Sequence, residues 1–199
     1  MNTLDAAGTA LDMTQIEIRS VDGYAHVLIV SAVDGAEAAA ALNETCAITV
    51  PTEPGTVCDE ASHPAFWLSP RSWLLRVERG GEAAVLAAIR TAFPDRLLHA
   101  TPYSDALHWF EVSGPHSAAL LARGGFVSLS VDGLAVGCMK RTLFADVPVL
   151  IWRQAEADWS LAVERSRAGY MAAWFAKAGI PGQPAEYAPR PSSILTGGI

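Results

Sequence analysis

Three thiols and five histidines are the side chains in this sequence with the most obvious chemistry. Cys46, Cys58 and His63 come nearest to a metal-ligand set, but wide gaps separate them, whereas zinc ligands are usually paired closely in sequence. We interpret them as two small buried thiols and a loop histidine. Cys138 lies two residues before Lys140, a neighbour that could lower the pKa of a thiol. A structural role for Cys138 is nevertheless the interpretation that we favour.

A serine nucleophile is the second possibility, at Ser113. This residue follows an apolar segment and precedes Gly114 and Pro115, with His108 and His116 close by in sequence. The G-x-S-x-G frame, whose strained turn exposes the hydroxyl group of a serine hydrolase, is missing. The pattern therefore favours a helix start beside a strand histidine over a catalytic centre.

Nucleotide cofactors would need a glycine-rich phosphate loop. The glycine pairs at 80–81 and 124–125 have the spacing of neither a dinucleotide fingerprint nor a phosphate-binding loop. We therefore expect this chain alone to bind no flavin or nicotinamide nucleotide. The sequence predicts no catalytic, cofactor-binding or metal-ligating residue.

Charge and composition narrow the range of partners. The net charge is −7 and only two lysines are present, so binding to nucleic acid or to an anionic membrane surface is not expected. The longest apolar run, residues 147–152, is too short to span a membrane. An odd count of three cysteines, without a secretion signal, predicts reduced thiols in the cytoplasm. Hydrophobic residues make up 51% of the chain and charged residues 18%, which fits either a large core or surface buried against partners.

Periodicity predicts strands mixed with helices. Several strands are joined by short turns, which favours an α+β fold over a doubly wound parallel sheet. We expect two packed two-layer α/β units with mainly antiparallel sheets. The predicted strands are 16–19, 26–30, 46–50, 72–77, 97–98, 107–112, 127–131, 142–145, 147–153 and 159–164; the predicted helices are 34–43, 82–93, 115–122 and 166–178.

The predicted organisation is a flexible arm at 1–14, a first unit at 15–100, a second unit at 101–179 and an extended proline-rich tail at 180–199. Trp174 is a candidate for either the core or an interface with a partner. Ile194, Leu195 and Ile199 are apolar residues at the end of the tail, where a free terminus would gain little from them. All four are our candidate interface residues.

Four segments, in order, resemble elements of sarcosine oxidase gamma subunits. Residues 65–75 are similar to their W-L-x-P-x-x-W-L-L element. Residues 112–124 are similar to a helix in these subunits that starts at an S-G-P motif and ends at a glycine. Residues 138–152 resemble an element that ends in P-V-L-x-W, and residues 163–175 resemble an R-S-x-x-x-Y-x-x-x-W helix. The resemblance covers about residues 65–178.

This resemblance implies a fold related to the folate-binding domains of aminomethyltransferases. It also implies a non-catalytic gamma subunit of a heterotetrameric flavoenzyme, which demethylates sarcosine to glycine and passes the one-carbon unit to tetrahydrofolate. The alpha, beta and delta subunits would hold FAD, FMN, NAD, tetrahydrofolate and zinc. Two alternatives stay open: a subunit of a related enzyme such as N-methylglutamate dehydrogenase, and a free-standing folate-binding one-carbon protein.

Overall fold

The part of the chain that the structure describes contains ten strands and four α-helices, besides two short 3-10 helices at Met13–Gln15 and Arg165–Arg167. The computed structural model describes residues 13–59, 63–95, 97–125, 129 and 133–178. The tail with Ile194, Leu195 and Ile199, most of the predicted strand at 127–131, and all but the last two residues of the predicted arm lie outside these ranges. The elements are β1 Glu17–Val21, β2 Tyr24–Ser31, α1 Gly35–Cys46, β3 Val57–Cys58, β4 Ala65–Ser69, β5 Ser72–Glu78, α2 Glu82–Ala92, β6 Leu98–Pro102, β7 Leu107–Ser113, α3 Ser117–Ala122, β8 Met139–Phe144, β9 Val147–Arg153, β10 Asp158–Glu164 and α4 Ala168–Ala178.

The strands form two five-stranded sheets in which every pairing is antiparallel. The first sheet has the order β3-β4-β5-β2-β6, and the second has the order β1-β7-β10-β9-β8. Helices α1 and α2 pack on the first sheet, and α3 and α4 pack on the second. The predicted α+β class with antiparallel sheets is confirmed.

The two sheets face each other across a layer of apolar side chains, and helices cover the outer face of each sheet. The fold therefore stacks helices, sheet, sheet and helices, with one apolar core under each pair of helices and a third between the sheets. Alternation along the strands divides the side chains between layers. In β5, Trp73 and Leu75 pack towards the helices, while Leu74 packs towards the second sheet. In β9, Ile151 belongs to the core under α4, and Trp152 belongs to the layer between the sheets.

Strand β1 pairs with the second sheet, although the sequence pattern placed it in the first unit. Its register with β7 sets Val21 opposite Trp109, and the next strand, β2, pairs instead with β5 and β6. The turn at Asp22-Gly23 therefore carries the chain from one sheet to the other and does not close a hairpin. Alternating apolar residues indicate a strand but do not identify the strand with which it pairs. Ile16 and Ile18 pack on the second core, which lies between the second sheet and helices α3 and α4.

Helix α1 begins as predicted, because the Asp34 carboxylate accepts a hydrogen bond from the Ala36 backbone N–H at 2.9 Å. It continues to Cys46, so the predicted strand at 46–50 is wrong. The helix ends at Ala47 in the left-handed conformation, with φ of 54°. Ile48 and Val50 are buried in the first core without joining a sheet, which explains the apolar pattern that indicated a strand.

Helix α3 begins at Ser117, two residues after the predicted start at Pro115, and residues 123–125 follow its end. Gly114, before it, has a φ of 107°, and a Cβ atom there would lie 2.2 Å from the Gln15 carbonyl oxygen. Only glycine fits this close approach of the N-terminal segment. Among the described residues, no helix is long and apolar enough to cross a membrane.

Candidate functional site

A buried arginine lies at the centre of the layer between the sheets. Arg76, on β5, is only 6% exposed. Its guanidinium carbon lies 4.2 Å from the ring centroid of Tyr24, 4.9 Å from that of Trp109 and 5.0 Å from that of Trp152. Stacking on aromatic rings stabilises a cation without using its N–H groups. The rings therefore cover the guanidinium, and its N–H groups remain for other partners.

Burial lowers the pKa of Arg76, and Tyr24, Glu111 and Asp59 act in the opposite direction. The guanidinium remains charged at neutral pH, because its ordinary pKa is far above 7. Glu111 is itself engaged: its carboxylate oxygens accept from Arg19 Nη2 at 2.8 Å and from the Tyr24 hydroxyl at 3.3 Å. A positive charge thus sits in an apolar layer with acidic groups nearby but not in contact.

His26 is the strand neighbour of Arg76 and is also buried. The indole N–H of Trp109 donates to His26 Nε2 at 2.6 Å. Burial lowers the pKa of His26 to about 4, and the positive charge of Arg76 adds to this effect. His26 is therefore neutral at pH 7. Because Nε2 accepts a hydrogen bond, the single ring proton of this neutral form is on Nδ1.

A serine, a histidine and an aspartate also meet at the edge of the second sheet. Ser20 Oγ lies 2.8 Å from His108 Nε2, and His108 Nδ1 lies 3.2 Å from an Asp22 carboxylate oxygen. These are the bonds of a hydrolytic triad. However, Asp22 is 66% exposed and Ser20 is exposed on an edge strand. Such an arrangement lacks the enclosure that excludes water from an acyl-transfer site, and we assign it no catalytic role.

A shallow surface cavity of about 180 Å³ lies beside the end of α3. Arg123 and Asp146 flank it, and Gly124, Tyr170 and Trp174 also line it. The Tyr170 hydroxyl donates to the Ala145 carbonyl at 3.1 Å. Tyr170 and Trp174 thus share one side of α4, as their spacing of four residues predicts.

Trp174 lies mainly in the second core. It is 5% exposed, and its ring packs edge-on against Phe144 with centroids 4.8 Å apart. One edge of the ring lines the surface cavity, and an additional role of Trp174 at an interface stays a prediction. The other three candidate interface residues are in the tail, outside the described residues.

The three cysteines and Ser113 lie on different elements of the fold: at the end of α1, in β3, just before β8 and at the end of β7. Cys46, Cys58 and Cys138 are half-buried, and the two that the sequence predicted as small buried thiols, Cys46 and Cys58, pack at the edge of the first core. Within the described residues no group of three His, Cys, Asp or Glu side chains could hold a metal ion. Ser113 is the last residue of β7, and the serine that contacts the His108 ring is instead Ser20, on the neighbouring strand β1.

The sequence analysis missed Arg76, His26 and Trp109. In each of the three strands, the residues on either side of the one named point towards a core that helices cover. The named residue therefore points to the other face of its sheet. An arginine or histidine on that side is normally solvent-exposed. The signal that could have identified the site is the pair of large aromatic residues Trp109 and Trp152, which lie on one side of two strands of the second sheet.

The fold is that of an aminomethyltransferase domain. Aminomethyltransferase T of the glycine cleavage system from Bartonella henselae matches with a TM-score of 0.59 at 13% identity, over 80% of this chain and 45% of that one. A chain of heterotetrameric sarcosine oxidase from Corynebacterium sp. U-96, in complex with pyrrole 2-carboxylate, matches with a TM-score of 0.74 at 23% identity, over 87% of this chain and 88% of that one.

Sequence comparison narrows this class to one family. The model of the sarcosine oxidase gamma subunit family matches residues 30–180. Sarcosine oxidase subunit gamma of Corynebacterium sp. strain P-1 is 28% identical over 161 residues, which are 80% of this chain and 77% of the relative. The subunit gamma of an Arthrobacter species is 30% identical over 132 residues, 65% of this chain and 64% of the relative. The chain belongs to the sarcosine oxidase gamma subunit family.

Proposed function

We propose that this chain is the gamma subunit of a heterotetrameric sarcosine oxidase and has no activity by itself. The observation that carries the proposal is the agreement of nearly whole chains: 87% of this chain superposes on 88% of one chain of such an enzyme. The whole enzyme demethylates sarcosine to glycine and passes the one-carbon unit to tetrahydrofolate. The partners are the alpha, beta and delta subunits, and the complex works in the cytoplasm.

FAD, FMN, NAD, tetrahydrofolate and zinc belong, in this proposal, to the other subunits. Two features of this chain support that division. Large aromatic side chains, among them Phe66, Trp109 and Trp152, pack against one another in the layer between its sheets. The cavity beside α3 is also shallow and much smaller than the ~300–1,000 Å³ that ligand pockets usually enclose.

The tail is the proposed arm that reaches a partner. Helix α4 ends at Ala178, whose carbonyl accepts a hydrogen bond from Arg123 Nη1 at 2.6 Å. This bond fixes the point from which residues 179–199 leave the second unit. Burial of Ile194, Leu195 and Ile199 against a partner would contribute about 1.5–3 kcal/mol each before ordering costs. Those costs are large, so the arm strengthens assembly without driving it.

The test is purification of the tagged chain from its own cells under native conditions. We expect a yellow complex with three other chains, identified by mass spectrometry as alpha, beta and delta subunits. The flavin of this complex should be reduced by sarcosine and not by N-methylglutamate. Reduction by N-methylglutamate instead would assign the chain to the related dehydrogenases. A colourless single chain that binds tetrahydrofolate would overturn the proposal in favour of a free-standing one-carbon protein.

A further inference from the structure

The layer between the sheets contains a set of buried N–H groups without acceptors. Nε and Nη1 of Arg76, Nε1 of Trp152 and Nδ1 of His26 are buried and have no hydrogen-bond partner among the described residues. The three side chains are adjacent: Arg76 is paired with His26 across β5 and β2, and its guanidinium lies 5.0 Å from the Trp152 ring. A buried donor without a partner destabilises the fold, because it loses its hydrogen bonds to water and gains none in return.

All four of these atoms are donors. The guanidinium and indole nitrogens can only donate. The imidazole of His26 accepts from Trp109 through Nε2, so its proton is on Nδ1, which also donates. Trp109 has already used its own N–H in that bond. The layer therefore combines a positive charge with four free donors, and it presents no free acceptor among these side chains.

This imbalance selects the chemistry of a ligand. A water molecule accepts two hydrogen bonds, but its own two hydrogens would then need acceptors that these side chains do not provide. An anion accepts hydrogen bonds without donating any, and it also neutralises the guanidinium. Because Arg76 is only 6% exposed, we expect a small ion, and not a large one, to reach its N–H groups. Stacked rings cover the faces of the guanidinium, so the ion would bind at its N–H edge.

We propose that the layer between the sheets is a binding site for one small anion, a halide or a short carboxylate, held by Arg76, His26 and Trp152. Glu111 and Asp59 are the acidic side chains that act on Arg76, but neither forms an ion pair with it. Glu111 is paired with Arg19 at the surface. The site is independent of the subunit partners and of any flavin, since all its residues belong to this chain.

Thermal unfolding of the full-length chain tests the site at constant ionic strength. Sodium chloride, sodium formate and sodium gluconate are titrated against one another, because gluconate is too large to enter. We expect chloride or formate to raise the Tm by about 2–5 °C in a saturable manner, relative to gluconate. Comparison of chloride with formate identifies which type of anion the site prefers.

Three variants decide whether the response comes from this site. Arg76→Met should abolish the saturable rise in Tm. Trp152→Phe removes one donor but keeps an aromatic ring, and it should lower the affinity for the anion about tenfold. Arg90→Met, at an exposed arginine of α2, should leave it unchanged. If Arg76→Met fails to fold, the chloride-35 NMR line width in wild type and Trp152→Phe replaces it. An equal response in all variants, or no difference between formate, chloride and gluconate, would overturn the proposal.

Discussion

Trp109 of the second sheet donates its indole N–H to Nε2 of His26 in the first sheet, and the two nitrogen atoms are 2.6 Å apart. The bond requires a neutral imidazole, because a protonated one has no acceptor. A single protonation event can therefore remove this hydrogen bond between the sheets. The two rings are also stacked, with their centroids 5.9 Å apart, so the sheets are held together here by ring packing as well as by the hydrogen bond.

The first prediction concerns pH. Burial lowers the pKa of His26 to about 4 in the folded chain, whereas an unfolded histidine titrates near 6.5. Between these values the unfolded state binds a proton that the folded state does not. Stability is therefore complete above about pH 6.5 and falls as the pH drops towards 4, by up to about 3 kcal/mol. Urea unfolding at pH 7.5 and at pH 4.5 measures the loss.

His26→Gln keeps an acceptor for Trp109 and removes the titration. This variant should lose less free energy of unfolding than wild type over the same pH range. His99→Gln, at an exposed histidine of β6, is the matched control and should behave like wild type. Equal pH dependence in wild type and His26→Gln would show that other groups cause the loss.

The second prediction concerns close packing at Gly124. A Cβ atom there would lie 2.6 Å from a ring atom of Phe144 and 2.7 Å from one of Trp174. Gly124→Ala should lower the free energy of unfolding by about 1–3 kcal/mol, because the rings must shift. Gly169→Ala, in α4 with open space around it, should be neutral or stabilising by up to about 1 kcal/mol. Chemical denaturation of both variants makes the comparison, and an unaffected Gly124→Ala would argue against this packing.

A third prediction separates the core role of Trp174 from a role in assembly. Trp174→Ala should cost about 3–5 kcal/mol in the lone chain, since the residue is 5% exposed and contacts Phe144 and Phe175. Lys177→Ala, on the exposed side of the same helix, should change stability by less than about 0.5 kcal/mol. A near-zero cost for Trp174→Ala, together with loss of the complex, would reassign the residue to the interface.

The fourth prediction concerns the tail. A chain truncated after Ala178 should keep its Tm, because the elements described above end at that residue. The truncated chain should bind the other subunits more weakly, as Ile194, Leu195 and Ile199 are removed. A full-length variant with serine at these three positions tests the same idea without shortening the chain. Unchanged affinity in both variants would make the tail a passive end.

Local patterns predicted most of the elements, and the reasons are visible in individual residues. The apolar run of β9 and the cap at Asp34 were identified because each signal is contained in a few neighbouring residues. The partner of β1 was not identified, since pairing depends on contacts about 90 residues away, such as that of Val21 with Trp109. The segment at 46–50 was mistaken for a strand because burial without a sheet gives the same apolar pattern.

The candidate site was harder to predict than the fold for the same reason. Arg76 has an ordinary position in an alternating strand, and only the approach of the second sheet covers it with Trp109 and Trp152. The family resemblance, in contrast, was carried by short motifs that the fold explains. Residues 65–75 form most of the β4–β5 pair, and residues 138–152 form most of the β8–β9 pair.

Native mass spectrometry of the complex purified through this chain tests the subunit assignment most directly. We expect one copy of this chain with one copy each of three different chains, and flavin that remains with those three when this chain is dissociated. A homo-oligomer of this chain, or flavin retained by the isolated chain, would contradict its assignment as a non-catalytic gamma subunit.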